Sequence, residues 1–176
     1  RYALPLLVAS LIVYGITQMD KIFTLTRSLS ELGVYNVAVA ASTIGAFAPN
    51  AIATALVPSL SSLAATDDIR GFRALARSYT RYVSLVAIPM AFGIASISTA
   101  LVQIFGRHYL PAAIPTMIMS LAVGVTAVSS VYNGQLLSTR GTSSIMIANI
   151  LGLIVFAALL SILLPSLGLV GAAWSR

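Results

Sequence analysis

Long uncharged stretches fill most of the chain, and short charged connections separate them. Five stretches of 18 to 35 residues lack Asp, Glu, Lys, Arg and His, at 2–19, 32–66, 82–106, 109–139 and 141–175. A helix of about 20 apolar residues crosses the hydrocarbon core of a bilayer. Because lipid offers the backbone no hydrogen bonds, such segments must pair their own N–H and C=O groups within a helix. The pattern therefore predicts an all-α membrane protein.

The pattern predicts about five complete transmembrane helices and the start of a sixth. The predicted helices lie at about residues 4–25, 33–60, 72–104, 111–137, 143–164 and 168–176. Pro111 suits the first turn of the fourth helix. Pro49 and Pro89 lie inside the second and third helices, where proline predicts a kink. Pro165 and Gly168 predict the end of the fifth helix.

Composition agrees with a membrane protein. Hydrophobic residues make up 59% of the chain and charged residues 8%, whereas soluble domains contain about 25% charged residues. The net charge of +6 therefore favours contact with anionic membrane lipids, and we expect no nucleic-acid partner. There is no cysteine, so disulfides are excluded. Because the sequence opens on Arg1 and stops inside an apolar segment, we expect a single transmembrane bundle, 1–176, from a longer protein.

The arginines between the helices are unevenly divided between the two sides of the membrane. Successive connections between membrane-spanning helices lie on alternate sides of the membrane. Two arginines, Arg27 and Arg107, then lie on one side. Six lie on the other side: Arg1, Arg70, Arg73, Arg77, Arg81 and Arg140. Positive residues concentrate on the cytoplasmic side. We therefore expect a multi-pass protein of the cytoplasmic membrane whose first residue lies in the cytoplasm.

The first helix has a polar half, which contains Tyr14, Gln18, Asp20 and Lys21. Charged side chains in lipid are costly, so this half should face other helices or a water-filled cavity. One interpretation places these residues in the wall of a substrate cavity. In the other interpretation, Asp20 and Lys21 lie near the outer end of the helix, where Lys21 reaches the interface.

The second helix carries a sparser polar row of Asn36, Thr43 and Asn50, and Asn133 lies on the fourth helix. These side chains either line a polar cavity or form hydrogen bonds with neighbouring helices. The small residues around them allow membrane helices to approach closely. We include all four as candidates for the substrate cavity.

Four arginines, Arg70, Arg73, Arg77 and Arg81, recur on one face of the segment that leads into the third helix. They are candidates for contact with lipid head groups, which would fix the orientation of the protein. Alternatively, they contact a lipid pyrophosphate, because a guanidinium group donates two hydrogen bonds to phosphate at once. The lone His108 has no partner ligands, so we expect no metal site, and we expect no cofactor and no catalytic residues.

Several short motifs follow one another along nearly the whole chain. They are Asp20, Gly33-Val34-Tyr35 with Ala38, Pro58-Ser59-Leu60-Ser61, Pro89, Phe105-Gly106 with Tyr109 and Ala112, and Gly168-Leu169-Val170-Gly171-Ala172-Ala173. In this order and spacing the chain resembles the polysaccharide-export flippases, including the O-antigen type. Their superfamily also contains the multidrug and toxin extrusion (MATE) transporters and the lipid II flippase.

The resemblance implies one bundle of a MATE-like two-bundle transporter. This bundle would be the second of two, and the missing N-terminal half of the same chain would face it across a central cavity. The resemblance also implies that Asp20 and Lys21 line this cavity. Further cations for an anionic substrate would then come from the missing half.

The leading hypothesis is a transporter, not an enzyme, that flips a lipid-linked oligosaccharide or polysaccharide precursor across the cytoplasmic membrane by alternating access. One alternative is a cation-coupled multidrug exporter, in which acidic cavity residues should stand without a neighbouring lysine. Another is a non-transporting membrane scaffold, which would not need the polar half of the first helix. Fold alone does not choose among these functions.

Overall fold

Helices joined by short connections make up the part of the chain that the structure, a computed structural model, describes. The structure describes the backbone of residues 3–26, 28–66, 68–138 and 142–175, and the side chains there except at 3–6, 8–10, 12–13, 16–17, 53, 56–57, 133–138 and 142–146. The α-helices in these ranges are α1 (Ala3–Leu25), α2 (Leu29–Thr43), α3 (Phe47–Ala65), α4 (Ile69–Gln103), α5 (Ala113–Ser138), α6 (Thr142–Leu167) and α7 (Leu169–Ser175). Short 3₁₀ helices, Ile44–Ala46 and Arg107–Ala112, precede α3 and α5.

Several helical segments are long and apolar enough to cross a bilayer. Within the described residues there are four, Leu29–Ile52, Ile69–Gln103, Arg107–Tyr132 and Ile147–Leu167. Their outer surfaces carry large apolar side chains, such as Phe92 and Ile154, which are about 60% exposed. Lipid accommodates such a surface and water does not. The prediction of an all-α membrane protein is confirmed.

Polar caps start two of the helices earlier than the apolar pattern predicts. The Ser28 hydroxyl accepts a hydrogen bond of 3.0 Å from the backbone N–H of Glu31, so α2 begins at Leu29. The Asp68 carboxylate accepts one of 2.9 Å from the N–H of Gly71, so α4 begins at Ile69. Both bonds satisfy N–H groups that have no partner in the first turn of a helix.

The second predicted helix, 33–60, is divided in the structure. The 3₁₀ helix Ile44–Ala46 separates α2 from α3, immediately before Pro49. Proline has no backbone N–H, so the carbonyl of Gly45, four residues earlier, cannot have its usual α-helical partner. The predicted irregularity at Pro49 is found one turn before it. Pro89 lies within α4, which continues through it, and the bend predicted there stays a prediction.

The helix α4 packs along α5 at the centre of the bundle, where small residues bring the two backbones together. A Cβ atom added to Gly124 of α5 would lie 2.6 Å from Cβ of Ala91 and 3.6 Å from the carbonyl oxygen of Ala87, both on α4. Real Cβ atoms do not approach one another so closely, so this contact needs glycine. Around the pair, α1 packs on α6, and α3 lies against both α4 and α5.

Two hydrophobic clusters form the core, one toward each end of the α4–α5 pair. The first cluster contains residues from α2, α4, α5, α6 and α7, among them Tyr35, Val102, Met119, Leu160 and Ala172. The second lies between α3, α4 and α5 and contains Leu60, Ala76, Tyr79, Val83, Ala87, Ala127 and Val131. The α4 helix therefore extends from one cluster to the other, and α2 and α3 belong to different clusters.

The helix α6 ends at Gly168, not at Pro165. Pro165 lies inside α6, which continues to Leu167. Gly168 then adopts φ of +61°, a left-handed conformation that glycine adopts without steric cost. Its N–H donates to the carbonyl of Leu164 at 3.0 Å, which closes the last turn before α7 begins.

Candidate functional site

A buried hydrogen bond joins the first two helices. The hydroxyl of Tyr35 on α2 donates to Oδ2 of Asp20 on α1 over 2.7 Å. Oδ1 of the same carboxyl group accepts from the backbone N–H of Lys21 at 2.8 Å, and the Thr24 hydroxyl donates to the backbone carbonyl of Asp20 at 2.7 Å. Asp20, Thr24 and Tyr35 are fully buried. A carboxyl group at such burial needs the donors that Tyr35 and the N–H of Lys21 provide, because water does not reach it.

The cavity candidates on α1 differ in their surroundings. Tyr14 is 63% exposed, Gln18 and Lys21 are half-buried, and Asp20 is buried against α2. The polar half of α1 therefore faces a neighbouring helix at Asp20 and reaches the surface of the bundle at Tyr14. The role of these four residues in a substrate cavity stays a prediction.

Sequence reasoning missed Tyr35 as the partner of Asp20. Asp20 lies near the end of α1 and Tyr35 near the start of α2, and a short connection joins the two helices. Their similar distances from this connection place them at similar depth in the helical hairpin. The similar distance of the two residues from the connection is the signal in the sequence that could have predicted their contact.

The polar row on α2 and α3 lies on the outside of the bundle. Asn36, Thr43 and Asn50 are all exposed. The Thr43 hydroxyl donates to the carbonyl of Ala40 at 2.9 Å, a bond within its own helix. Asn133 lies on α5, but its side chain is outside the described residues. The three described members are thus all exposed, and a common cavity for them stays a prediction.

Three of the four predicted arginines line an open groove between α4 and α5. Its volume is about 530 Å³. Arg70 is exposed nearer the start of α4 and is not a lining residue. No acidic side chain is found among the described residues that line the groove, so its charge is positive. The lining residues are Phe72, Arg73, Ala76, Arg77, Thr80, Arg81 and Ser84 of α4 and Tyr132 of α5.

The groove and the Asp20–Tyr35 pair lie toward opposite ends of the bundle. Tyr35 belongs to the hydrophobic cluster that includes Val102 near the end of α4. Ala76, which lines the groove, belongs to the other cluster. Any action of the two sites on one ligand would therefore need the ligand to move along the bundle.

The structure offers no cluster of metal ligands within its described residues. No group of three His, Cys, Asp or Glu side chains comes together there. His108 instead packs edge-on against Tyr109, with ring centroids 5.7 Å apart. His108 is itself exposed, so this contact lies at the surface of the protein.

Comparison with known proteins places the chain in a family. A family model described as "Polysaccharide biosynthesis protein" matches residues 1–114, which is more than half of the chain. The match includes Asp20, Tyr35 and the arginines of the groove. Comparisons with curated proteins and with solved structures each found no significant match. The resemblance to a polysaccharide-export family is thus confirmed, and the chain belongs to the polysaccharide biosynthesis protein family.

Proposed function

We propose that the protein is a membrane transporter that flips a lipid-linked oligosaccharide or polysaccharide precursor across the cytoplasmic membrane by alternating access. The family match supports a role in polysaccharide biosynthesis, and the apolar helices support a site of action in the membrane. The observation that carries the transport step is the exposed polar row on α2 and α3.

This row would be unfavourable on a surface that faces lipid. The side-chain amides of Asn36 and Asn50 would have no hydrogen-bond partners in hydrocarbon. Their exposure on the bundle is therefore best explained by a polar space beside α2 and α3. A saccharide, which is rich in hydroxyl groups, needs such a space to cross the membrane.

The architecture that suits this function is MATE-like. We propose five complete membrane-spanning helices and the start of a sixth, which face a second bundle of the same protein across the polar space. In this arrangement the first residue is cytoplasmic. The protein acts as a transporter and not as an enzyme, and an ion gradient, the membrane potential or the substrate gradient supplies the energy.

The test is a deletion strain complemented with the full-length protein. We expect the deletion to accumulate lipid-linked saccharide on the cytoplasmic side and to lose its surface polysaccharide. The wild-type gene should restore the polymer. A strain that keeps its polymer but becomes sensitive to cationic dyes would instead identify a multidrug exporter.

Substitutions in the polar row test whether its exposed amide groups are needed for export of the surface polysaccharide. Asn36→Leu with Asn50→Leu should lower surface polymer at least several-fold at unchanged abundance, because the polar space loses two amide groups. Phe47→Leu is the matched control, since Phe47 is also exposed, at 75%, but is apolar. Equal polymer in both variants would contradict a transport role for the row.

A further inference from the structure

We propose that the 3₁₀ segment Ile44–Ala46 is a hinge, about which α3 swings relative to α2 inside the membrane-spanning segment Leu29–Ile52. The swing changes the shape of the polar row on α2 and α3 during transport, and in this respect the inference rests on the proposed function.

The backbone departs from α-helical geometry at two residues around the hinge. The ψ angle is −16° at Thr43 and −18° at Ala46, whereas an α-helix has about −42°. Ile44 and Phe47, which follow these two residues, have ordinary helical angles. A rotation of about 25° at each of two residues therefore separates the hinge from a continuous α-helix. A short 3₁₀ stretch inside a longer helix often marks a functional hinge.

Pro49 weakens the preference of the hinge for the α-helical geometry. Its side chain is fully buried, one turn after the hinge. Because proline has no backbone N–H, the carbonyl of Gly45 gains no hydrogen bond when this turn becomes α-helical. The bent and straight geometries thus differ by fewer hydrogen bonds than they would in an ordinary helix, and the chain can pass between them at low cost.

The two arms of the hinge are anchored in different parts of the core. Val34, Tyr35 and Ala38 of α2 belong to the first hydrophobic cluster, which also contains residues of α6 and α7. Leu60 of α3 belongs to the second cluster. Residues 40–51 are all described by the structure, and none of them belongs to either cluster. Large side chains therefore fix each arm and leave the segment between them free to turn.

The buried surface around the hinge is built from small residues. Ala41, Ser42 and Gly45 are buried, and small side chains allow helices to shift against one another at close range. A Cβ atom added to Gly45 would lie 2.9 Å from Cδ1 of Ile94 on α4. Glycine at this position therefore lets the hinge turn past Ile94 without a steric clash.

The polar row extends across the hinge. Asn36 and Thr43 lie before it and Asn50 lies after it, and all three are exposed. The 14 residues from Asn36 to Asn50 correspond to about 21 Å along the helix axis. A swing of α3 moves Asn50 and leaves Asn36 in place, so it changes the width of the polar space at one end of the row.

Distances between spin labels on the full-length protein in phosphatidylcholine nanodiscs test the hinge. One pair is placed at Ser30 and Ser62, which are exposed near the far ends of α2 and α3. The reference pair is placed at Ser78 and Thr99, which are exposed on the uninterrupted helix α4. Double electron–electron resonance should give a distance distribution for the first pair that is about two-fold broader than that of the reference pair.

Replacement of Pro49 tests the cause of the motion. Pro49→Ala supplies the missing N–H, so the first distribution should narrow to the width of the reference pair. Pro58→Ala is the matched control, because Pro58 also lies inside α3 but is exposed and far from the hinge. Size-exclusion elution identical to wild type shows that each variant is folded.

Replacement of Gly45 tests the steric part of the inference. Gly45→Ala should also narrow the distribution, because the new methyl group meets Ile94. Adding Ile94→Val removes Cδ1, the atom that the methyl group would meet, and should restore the wild-type width. A narrow distribution that persists in this double variant would contradict the contact with Ile94 as the cause.

Two distance results would overturn the hinge. They are equal widths for the two label pairs in the wild type, and equal narrowing by Pro49→Ala and Pro58→Ala. In complementation, Pro49→Ala should lower surface polymer several-fold at unchanged abundance, and normal polymer would overturn the role of the hinge in transport. Failure of the proposed function is a different result, because it would show as normal polymer in the deletion strain and would leave the distance distributions unaltered.

Discussion

The hydroxyl of Tyr35 lies 2.7 Å from Oδ2 of Asp20, and this hydrogen bond ties α2 to α1 in a region closed to solvent. Met19 and Phe23, on either side of Asp20 in sequence, pack against the cluster that contains Tyr35. A polar contact is thus enclosed by apolar side chains. Its loss would leave the carboxyl group with fewer donors at a place that water cannot reach.

Tyr35→Phe should destabilise the protein by about 1–2 kcal/mol. The change removes the hydroxyl donor and keeps the ring that packs in the cluster. The measurement is thermal unfolding of the detergent-solubilised protein, where we expect a lower Tm. Tyr82→Phe is the control, because Tyr82 is 60% exposed and should show no change. Equal Tm values for the two variants would remove the assigned role of the hydrogen bond.

Asp20→Asn separates the charge of Asp20 from its hydrogen bond. The amide oxygen can still accept from Tyr35, and only the contact with the backbone N–H of Lys21 is lost, so the abundance of the variant in the membrane should be nearly normal. If the negative charge is used in transport, surface polymer should fall several-fold. Lys21→Gln should behave in the same way, because Lys21 is half-buried on the same helix. Normal polymer in both variants would assign the pair a structural role.

Gly124→Leu should disrupt the packing of α4 on α5. A Cβ atom there would lie 2.6 Å from that of Ala91, so the helices must separate, at a cost of about 1–3 kcal/mol. Gly93→Leu is the matched control, since Gly93 of α4 has no atom within 4 Å of an added Cβ. We expect aggregation or a lowered Tm for the first variant alone. Similar behaviour of the two variants would argue against close contact at Gly124.

Cysteine labelling tests the orientation. Residues 1–176 contain no cysteine, so this part of the protein adds no background to single replacements. In intact cells an impermeant thiol reagent should label cysteine at Ser30 or Ser166 and should not label it at Ser62. All three serines are exposed in the structure, so shielding within the bundle would not explain a difference. Labelling of position 62 alone would reverse the proposed orientation.

The all-α membrane class could be predicted from the sequence because the length of an uncharged stretch is a local property. The sequence predicted a kink from Pro49, and the 3₁₀ helix that divides the second predicted helix lies one turn before it, where the missing N–H leaves a carbonyl without its usual partner. The early starts of α2 and α4 were missed because Ser28 and Asp68 lie outside the apolar pattern that defined the helices.

The sites were harder to predict because they are formed between helices. The arginine row is a property of α4 alone, and its spacing was visible, but the opposite wall comes from Tyr132, 51 residues after Arg81. The contact between Asp20 and Tyr35 likewise depends on how α1 and α2 rotate against one another. The periodicity of apolar and polar residues predicts which face of a helix is buried, but it does not predict which helix packs against that face.

The continuous helix of α4 affects how an anion could be held in the groove. Arg73, Arg77 and Arg81 project from a helix that also packs in the core through Ala76, Tyr79 and Val83. Their backbone positions are therefore fixed before any ligand arrives. An anion that binds them has to order three side chains and no loop, so the entropic cost of ordering a backbone segment is avoided. The groove is in this sense preorganised, and its affinity should depend little on the conformation of the connections at either end of α4.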